Sequence, residues 1–238
     1  MRATLFGLAS SPPTLAAELM LRHKGIDYRR LDLMPGLHGG VLRAMRFPGT
    51  TVPAMRLDGT RLQGTRTIAL ALDALVPSPP LFPEDPERRR AVEEAEAWGD
   101  EVLQPVPRRI VWNALKHDRS ELATYLEGAK TAIPVGLAAR MAPPVAALAR
   151  RVNNATDENV RRDLDALPGL IDRVDELIER GVIGGAERNV ADFQIGTSVS
   201  MLLTMDDVRP LIDGRPAERL ARELVPHQPG HTPSVYAT

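Results

Sequence analysis

Between residues 77 and 86 the chain reads Pro-Ser-Pro-Pro-Leu-Phe-Pro-Glu-Asp-Pro. Prolines at that density permit neither a continuous helix nor an interior strand, so any fold built on this chain divides here. The patterns on the two sides differ. Before the break, residues 3–6 read as a strand, 12–24 as a helix ended by Gly25, and 28–33 as a second strand. An irregular segment follows. Residues 52–57 and 61–63 then flank Asp58-Gly59, a dipeptide suited to a hairpin turn, and a helix over 65–75 sets Ile68, Leu72 and Leu75 on one face. After the break the periodicity is helical. Ala91, Ala95, Trp98 and Val102 recur at helical spacing, as do Leu167, Leu170, Ile171, Val174, Leu177 and Ile178. Residues 128–151 are apolar but interrupted by Pro134 and Pro143-Pro144, which predicts two helical pieces. The expected organisation is an α/β domain over 1–76, a linker over 77–86, an all-helical domain over 87–225 and a tail over 226–238.

Composition narrows the chemistry. The 238 residues contain no cysteine, which excludes structural disulfides, cysteine-ligated zinc and any mechanism that uses a protein thiol. Sulfur chemistry, if present, uses a ligand's sulfur. A net charge of −1 gives no electrostatic reason to expect nucleic acid or an acidic membrane surface. The opening residues lack the basic segment, apolar core and cleavage site of a leader, and no apolar run approaches the ~18 residues of a membrane helix. The cytoplasm is the expected compartment, and no metal site is expected.

Three short elements of the first region point to ligand chemistry. In Leu-Phe-Gly-Leu-Ala-Ser-Ser-Pro-Pro-Thr at 5–14, a strand runs into Ser11-Pro12 and on into a helix. A hydroxyl is thereby set at a helix N-terminus, where free N–H groups and the dipole stabilise an anion such as a thiolate. In Gly-Thr-Thr-Val-Pro-Ala at 49–54 a proline stands at the mouth of a strand. A cis bond before it would turn Val52 outward and show its N–H and C=O to an extended ligand. In Gln-Gly-Thr-Arg-Thr-Ile at 63–68, Thr65 is well placed as the N-cap of a helix that could hold a carboxylate. Taken alone, each element reads first as an ordinary cap or a strand-entry proline.

Taken in order, Leu-Phe-Gly-x-x-x-Ser-Pro at 5–12, Lys-Gly-Ile at 24–26, Pro-Gly-Thr-Thr-Val-Pro-Ala at 48–54 and Gly-Thr-Arg-Thr-Ile at 64–68 resemble the thioredoxin-like N-terminal domain of the cytosolic glutathione S-transferases. Leu-Phe-Pro-Glu-Asp-Pro at 81–86, with Arg90, Ala91, Glu94 and Trp98, is similar to that family's entry into its all-α C-terminal domain. Asn189-Val190-Ala191-Asp192 resembles the family's buried helix cap, in which Asn189 would cap the backbone while Asp192 reaches back, as in a capping box. The resemblance spans about residues 2–225.

It implies a glutathione S-transferase fold in which the Ser11 hydroxyl hydrogen-bonds the thiolate of bound glutathione. Ser10 is the alternate, and the match to the Ser-Pro favours Ser11. Val52, before a cis Pro53, would hold the cysteinyl part through its backbone. The family's Glu/Gln-Ser pair for the γ-glutamyl group falls on Gly64-Thr65. Thr65 can still donate, but Gly64 offers no side chain. Gln63 has the right chemistry one residue early, and strand alternation turns it the other way. Another low-molecular-weight thiol is therefore a second expectation. The implied activity is attack of the activated thiol on a hydrophobic electrophile held between the domains, with Ile110, Trp112 and Met141 as lining or core. The alternative is a protein that binds a thiol or apolar ligand without turnover. The family also implies a homodimer, with Arg66 near the interface. His38 falls in a variable loop where the family often places a cation for the glycyl carboxylate, and it reads first as a solvent-exposed loop histidine. The Arg88-Arg89-Arg90 run and Glu93-Glu94 read as a solvated helix face.

Overall fold

The computed structural model of the chain describes residues 2–116, 120–130 and 142–236. The first region holds strands β1 (Ala3–Gly7), β2 (Tyr28–Asp32), β3 (Ala54–Leu57) and β4 (Thr60–Gln63), with helices α1 (Pro12–His23), α2 (His38–Ala44) and α3 (Thr65–Leu75). The sheet order is β2-β1-β3-β4, with β1 and β2 parallel and the other neighbours antiparallel. This is the thioredoxin-like arrangement. Asp58 and Gly59 close the β3–β4 hairpin with φ of 46° and 94°, the left-handed pair that a two-residue turn of this hand requires.

One element departs from the sequence reading. The segment expected to be irregular carries α2, although Gly39-Gly40 is a poor helix former. Packing supplies what propensity lacks. Leu42 is buried with Phe6, Phe47 and Ala54 in a small core of its own, and Gly39 lets the helix approach the next loop, since a Cβ there would stand 3.1 Å from Thr50 Cβ.

Beyond Val76 the regular elements among the described residues are helical: α4 (Pro86–Trp98), a π-helical turn (Gly99–Leu103), α5 (Pro105–Ala114), a 3-10 segment (Ser120–Leu126), α6 (Ala142–Val152), α7 (Asp157–Glu179), α8 (Val190–Leu202), a 3-10 turn (Arg209–Leu211) and α9 (Pro216–Leu224). Val92, Ala95, Gly99 and Leu103 face inward, whereas Val102, expected on the buried stripe, is exposed. Gly99 sits against α8, where a Cβ would come 2.8 Å from Ile195. Every residue of α8 is buried. Its hydroxyls are satisfied within the helix: Thr197 donates to the Phe193 carbonyl at 2.8 Å, Ser198 to that of Gln194 at 3.1 Å and Ser200 to that of Thr197 at 2.9 Å.

The proline-dense segment is not a loose tether. Leu81 and Phe82 lie inside the main core, which runs continuously from β1 through α1 into α8. The buried Lys24 ammonium donates to Asp73 Oδ1 at 2.6 Å and to the carbonyls of Val76 and Pro79 at 2.6 and 2.5 Å. Asp73 also accepts from Leu81 N at 2.7 Å. A buried ammonium with three acceptors avoids the penalty of an unpaired charge, and it fixes the path of the segment.

The stretch expected as a tail over 226–238 is instead seated on the helical region through residue 236. Thr232 pairs with Met205 in an isolated bridge, its N–H donating to the Thr204 carbonyl at 2.9 Å. One carboxylate oxygen of Asp207 accepts from Val235 N and Tyr236 N. The Tyr236 hydroxyl donates to Asn113 Oδ1 at 2.7 Å, and burial pushes its pKa far up. Prolines prevent periodicity here, yet single polar side chains of other elements satisfy the backbone. The break expected near Pro134 lies outside the described residues.

Candidate active site

Register brings the three ligand-type elements to one end of the sheet. Phe6 stands opposite both Leu31 and Ala54, and Ala54 opposite Gln63. Residues 7–11, 52–53 and 63–65 therefore leave or enter the sheet side by side. Two backbone bonds tie this end together, Leu33 N to the Gly7 carbonyl at 2.8 Å and Gly64 N to the Pro53 carbonyl at 2.9 Å.

The two adjacent serines have different duties. Ser11 is the N-cap of α1 with extended backbone, and among the described residues its hydroxyl makes no hydrogen bond, not even the usual cap to its own helix. Pro12 and Pro13 carry no N–H, so the first turn holds fewer free donors than the sequence reading supposed, with Thr14 N the first available. The Ser11 hydroxyl is thus left unspent at the positive end of the helix. Ser10 has φ of 55°, a left-handed conformation that costs a non-glycine residue roughly 1–2 kcal/mol, and its hydroxyl donates to the Tyr125 carbonyl at 2.7 Å. Ser10 is spent on the helical region. Gly7 is required beneath this loop, since a Cβ there would stand 2.0 Å from Thr14 Cγ2.

The Val52-Pro53 bond is cis. Neither the N–H nor the C=O of Val52 has a backbone partner among the described residues, because the β1–β3 pairing stops at Ala54. Gln63 holds the loop that presents it. Its Oε1 accepts from Gly49 N at 2.5 Å and its Nε2 donates to the Thr51 carbonyl at 2.7 Å. That side chain is a brace for the loop and is not available to a ligand.

Thr65 is the first helical residue of α3, and the N-cap expected there is Gly64 instead. Gly64 turns the chain from β4 into α3 with φ of 86°, which glycine adopts without strain. Nothing lies within 4 Å of where its Cβ would be. The absent side chain is therefore an open space and not a packed one. The Thr65 hydroxyl has no partner among the described residues, and the N–H groups of Thr65, Arg66 and Thr67 head the helix, the first intrahelical bond being Ile68 N to the Gly64 carbonyl at 3.1 Å.

The remaining candidates separate from this end. His38 opens α2 in place of the variable loop expected, half-buried, with Nδ1 unpartnered and its pKa lowered by burial. Arg66 pairs within its own chain, with Glu96 at 2.6 Å on α4. Burial raises the Glu96 carboxyl and the Arg66 guanidinium only partly offsets it. Ile110 is buried in the main core and Trp112 packs against it. Met141 lies outside the described residues. Arg89 and Arg90 pair with Glu93 and Glu94 along the face of α4. Asn189 and Asp192 form the reciprocal cap of α8: Asn189 Oδ1 accepts from Ala191 N and Asp192 N, and Asp192 Oδ2 accepts from Asn189 N at 2.8 Å. Asp192 Oδ1 also accepts from Gly184 N at 2.6 Å.

Three features had no sequence signal. Tyr125 reaches Ser10 from a segment with no periodicity. Lys130 N donates to Asp32 Oδ2 at 2.7 Å and its carbonyl accepts from Asp32 N at 3.0 Å, closing the end of β2. A cavity of about 590 Å³ opens on the outer side of β2, lined by Glu18, Arg22, Tyr28, Arg30 and Lys130 and away from Ser11. Glu18 there accepts from Tyr28, Arg22 and Arg30, which outweigh burial and hold its carboxyl below the ordinary value. That network is internally satisfied. Among the described residues no cluster of His, Asp and Glu could hold a metal, and no helix is long and apolar enough to cross a membrane.

Residues 5–80 match the family described as glutathione S-transferase, N-terminal domain. No curated protein sequence matches the chain. Among solved structures, FzlA from C. crescentus aligns at 18% identity and a TM-score of 0.61 over 94% of this chain and 88% of that one. The beta-etherase LigF from Sphingobium sp. strain SYK-6 aligns at 18% and 0.62 over 94% and 98%. A glutathione S-transferase from Methylobacterium radiotolerans, in complex with glutathione sulfonate, aligns at 18% and 0.54 over 100% and 99%. At such identities the likeness shows a shared fold.

Proposed function

From the glutathione S-transferase fold that the chain shares with these structures, we propose that it binds a small-molecule thiol, glutathione in the first instance, and activates it for attack on a hydrophobic electrophile. The observation that carries this reading is the unspent hydroxyl of Ser11 at the head of α1, on the same end of the sheet as the free backbone groups of Val52. A free thiol has a pKa of about 8.5, and a donor that hydrogen-bonds only the anion lowers it. Ser11 donates to the thiolate and takes no proton. Val52 receives the cysteinyl backbone as an added strand would be received. The N–H groups at the head of α3, with the Thr65 hydroxyl, receive a carboxylate. The thiolate then forms the sulfur–carbon bond while the leaving group departs with its electron pair. Leu37, Val41 and Leu148 stay exposed, and Leu148 lies close to Gly36 beyond β2, which offers apolar surface for the electrophile. Within this reading the protein acts in the cytoplasm as a homodimer, and sedimentation of the purified chain tests the second part.

A second reading is favoured by Gly64, which provides no side chain for the amino group of a γ-glutamyl ligand. On that reading the thiol is a different one, or is bound without turnover. Calorimetric titration of the folded protein with glutathione, repeated with Ser11→Ala, decides between them. Saturable binding with a thiolate absorbance that the variant loses supports the first. Absence of heat up to millimolar ligand rejects glutathione, and binding without turnover over a broad electrophile panel supports a binding protein.

A further inference from the structure

Ser10, which decides the direction in which the chain enters Ser11, is held from outside its own region. Its left-handed backbone has no glycine to make it easy, and among the described residues its one side-chain bond goes to the Tyr125 carbonyl at 2.7 Å. Tyr125 is in turn immobilised at its other end. Thr204 spends its single proton on the Met201 carbonyl at 2.7 Å. The Tyr125 hydroxyl therefore donates to Thr204 at 2.9 Å and accepts from Thr232 at 2.6 Å. The ring lies against Gly230, where a Cβ would come 2.2 Å from Cε1. His231 N donates to Thr124 Oγ1 at 2.9 Å, fastening the neighbouring residue of the same 3-10 segment. The C-terminal segment thus grips residues 124–125 from one side while Ser10 holds them from the other.

We propose that residues 230–232 position Ser11 through Tyr125, which makes Tyr125 and Thr232 positioning residues for the thiol site although neither lies in it. The inference rests on the reading of Ser11 as the thiolate donor. The path is short and made of discrete bonds: Thr232 hydroxyl, Tyr125 hydroxyl, the Tyr125 backbone carbonyl, Ser10 hydroxyl and the Ser10-Ser11 peptide. Loosening either end frees Ser10 to leave the left-handed region, and Ser11 then turns away from the axis of α1. Because the coupling is between two packed ends, it acts in both directions.

The test uses the full chain and amide hydrogen exchange at Leu8, Ala9, Ser10, Ser11 and Thr14, the residues around the loop that possess an N–H. Thr232→Val and Tyr125→Phe are expected to speed exchange there at least fivefold while Leu5 and Phe6 of β1 stay at the wild-type rate, which also reports that the fold is intact. Thr232→Ser keeps the hydroxyl and is expected to restore the wild-type rate. Ser10→Ala is expected to speed exchange across 121–127, the reciprocal effect. With glutathione bound, Thr232→Val should weaken the thiolate absorbance at neutral pH and Thr232→Ser should not. Wild-type exchange at 8–14 in Thr232→Val and Tyr125→Phe overturns the proposal, as does equal acceleration by Thr232→Ser. If the wild type shows no bound thiolate at all, the reading of Ser11 fails, and the exchange rates still decide whether the C-terminal segment governs this loop.

Discussion

Two helices of this molecule begin in the same way on paper and differently in space. Helix α8 starts at Asn189 with Asp192 three residues on, and α1 starts at Ser11 followed by two prolines. At α8 the donors are matched to acceptors: Asn189 accepts from two N–H groups and the buried Asp192 from Asn189 and Gly184, which are themselves only partly covered. At α1 the cap hydroxyl accepts nothing: two of the three leading positions are prolines without an N–H, and the N–H of Thr14 makes no bond to it. A satisfied cap is a structural device, whereas an unsatisfied one at an open strand end keeps its hydrogen-bonding capacity for a ligand. On the proposed function, the difference between a structural cap and a ligand-holding one lies in which donors and acceptors are already paired.

The sharpest way to break the comparison is at α8. Asp192→Ala removes the buried carboxylate that accepts from Asn189 N and Gly184 N, and hydrogen bonds to a charged group contribute about 1.5–3 kcal/mol each, so a loss of roughly 3–5 kcal/mol is expected in urea unfolding. Ser11→Ala should behave in the opposite manner. No hydrogen bond among the described residues is lost, so stability should change by less than about 0.5 kcal/mol, while on the proposed function kcat/KM with a thiol substrate should fall on the order of a hundredfold, the effect of removing one donor to a developing anion. A large stability loss in Ser11→Ala would show that the hydroxyl is a cap after all. Gly64→Ala sharpens the case of α3. Open space around the position leaves only the strain of a positive φ, and a loss of about 1 kcal/mol is expected in the same unfolding experiment.

The smallest effect is at the contact between the two helices. His23 at the end of α1 packs edge-on to Phe193 of α8 at 5.4 Å between centroids. Burial, with the Lys24 charge beside it, holds the His23 pKa below its ordinary 6.5. Its neutral form therefore contributes stability that is present above pH 6.5 and is lost as the pH falls through the lowered value. A flatter acid limb in the thermal midpoint of His23→Gln than in the wild type is the expected result.

Much of this was legible along the chain, because periodicity, turn dipeptides and prolines act locally. Asp58-Gly59 specifies a hairpin turn wherever it stands between two strands, and the α7 stripe needs no partner to be read. Helix α2 was not legible, because seven residues with adjacent glycines become helical only when Leu42 finds Phe6 and Phe47. The inward face of α4 and the turn after it was misread, because the residues covered are Val92, Gly99 and Leu103 and not Ala91, Trp98 and Val102, and packing against α8 chooses which side is covered. Thr65 was read one position late, since a glycine with positive φ took the cap.

The sequence by itself determined the order of elements, the absence of any protein thiol and the presence of hydroxyls at helix starts, since these depend on residue type and near neighbours. Which hydroxyl is free was decided only by the tertiary structure. Ser10 and Ser11 are identical in chemistry and adjacent in position. They differ because a carbonyl more than a hundred residues away accepts from Ser10, and because no described group accepts from Ser11. Gln63 tells the same story: its amide is spent on Gly49 and Thr51, partners brought to it by the pairing of β3 with β4. Hydrogen-bond partnership is a property of proximity, and proximity between distant segments exists only once the chain has folded.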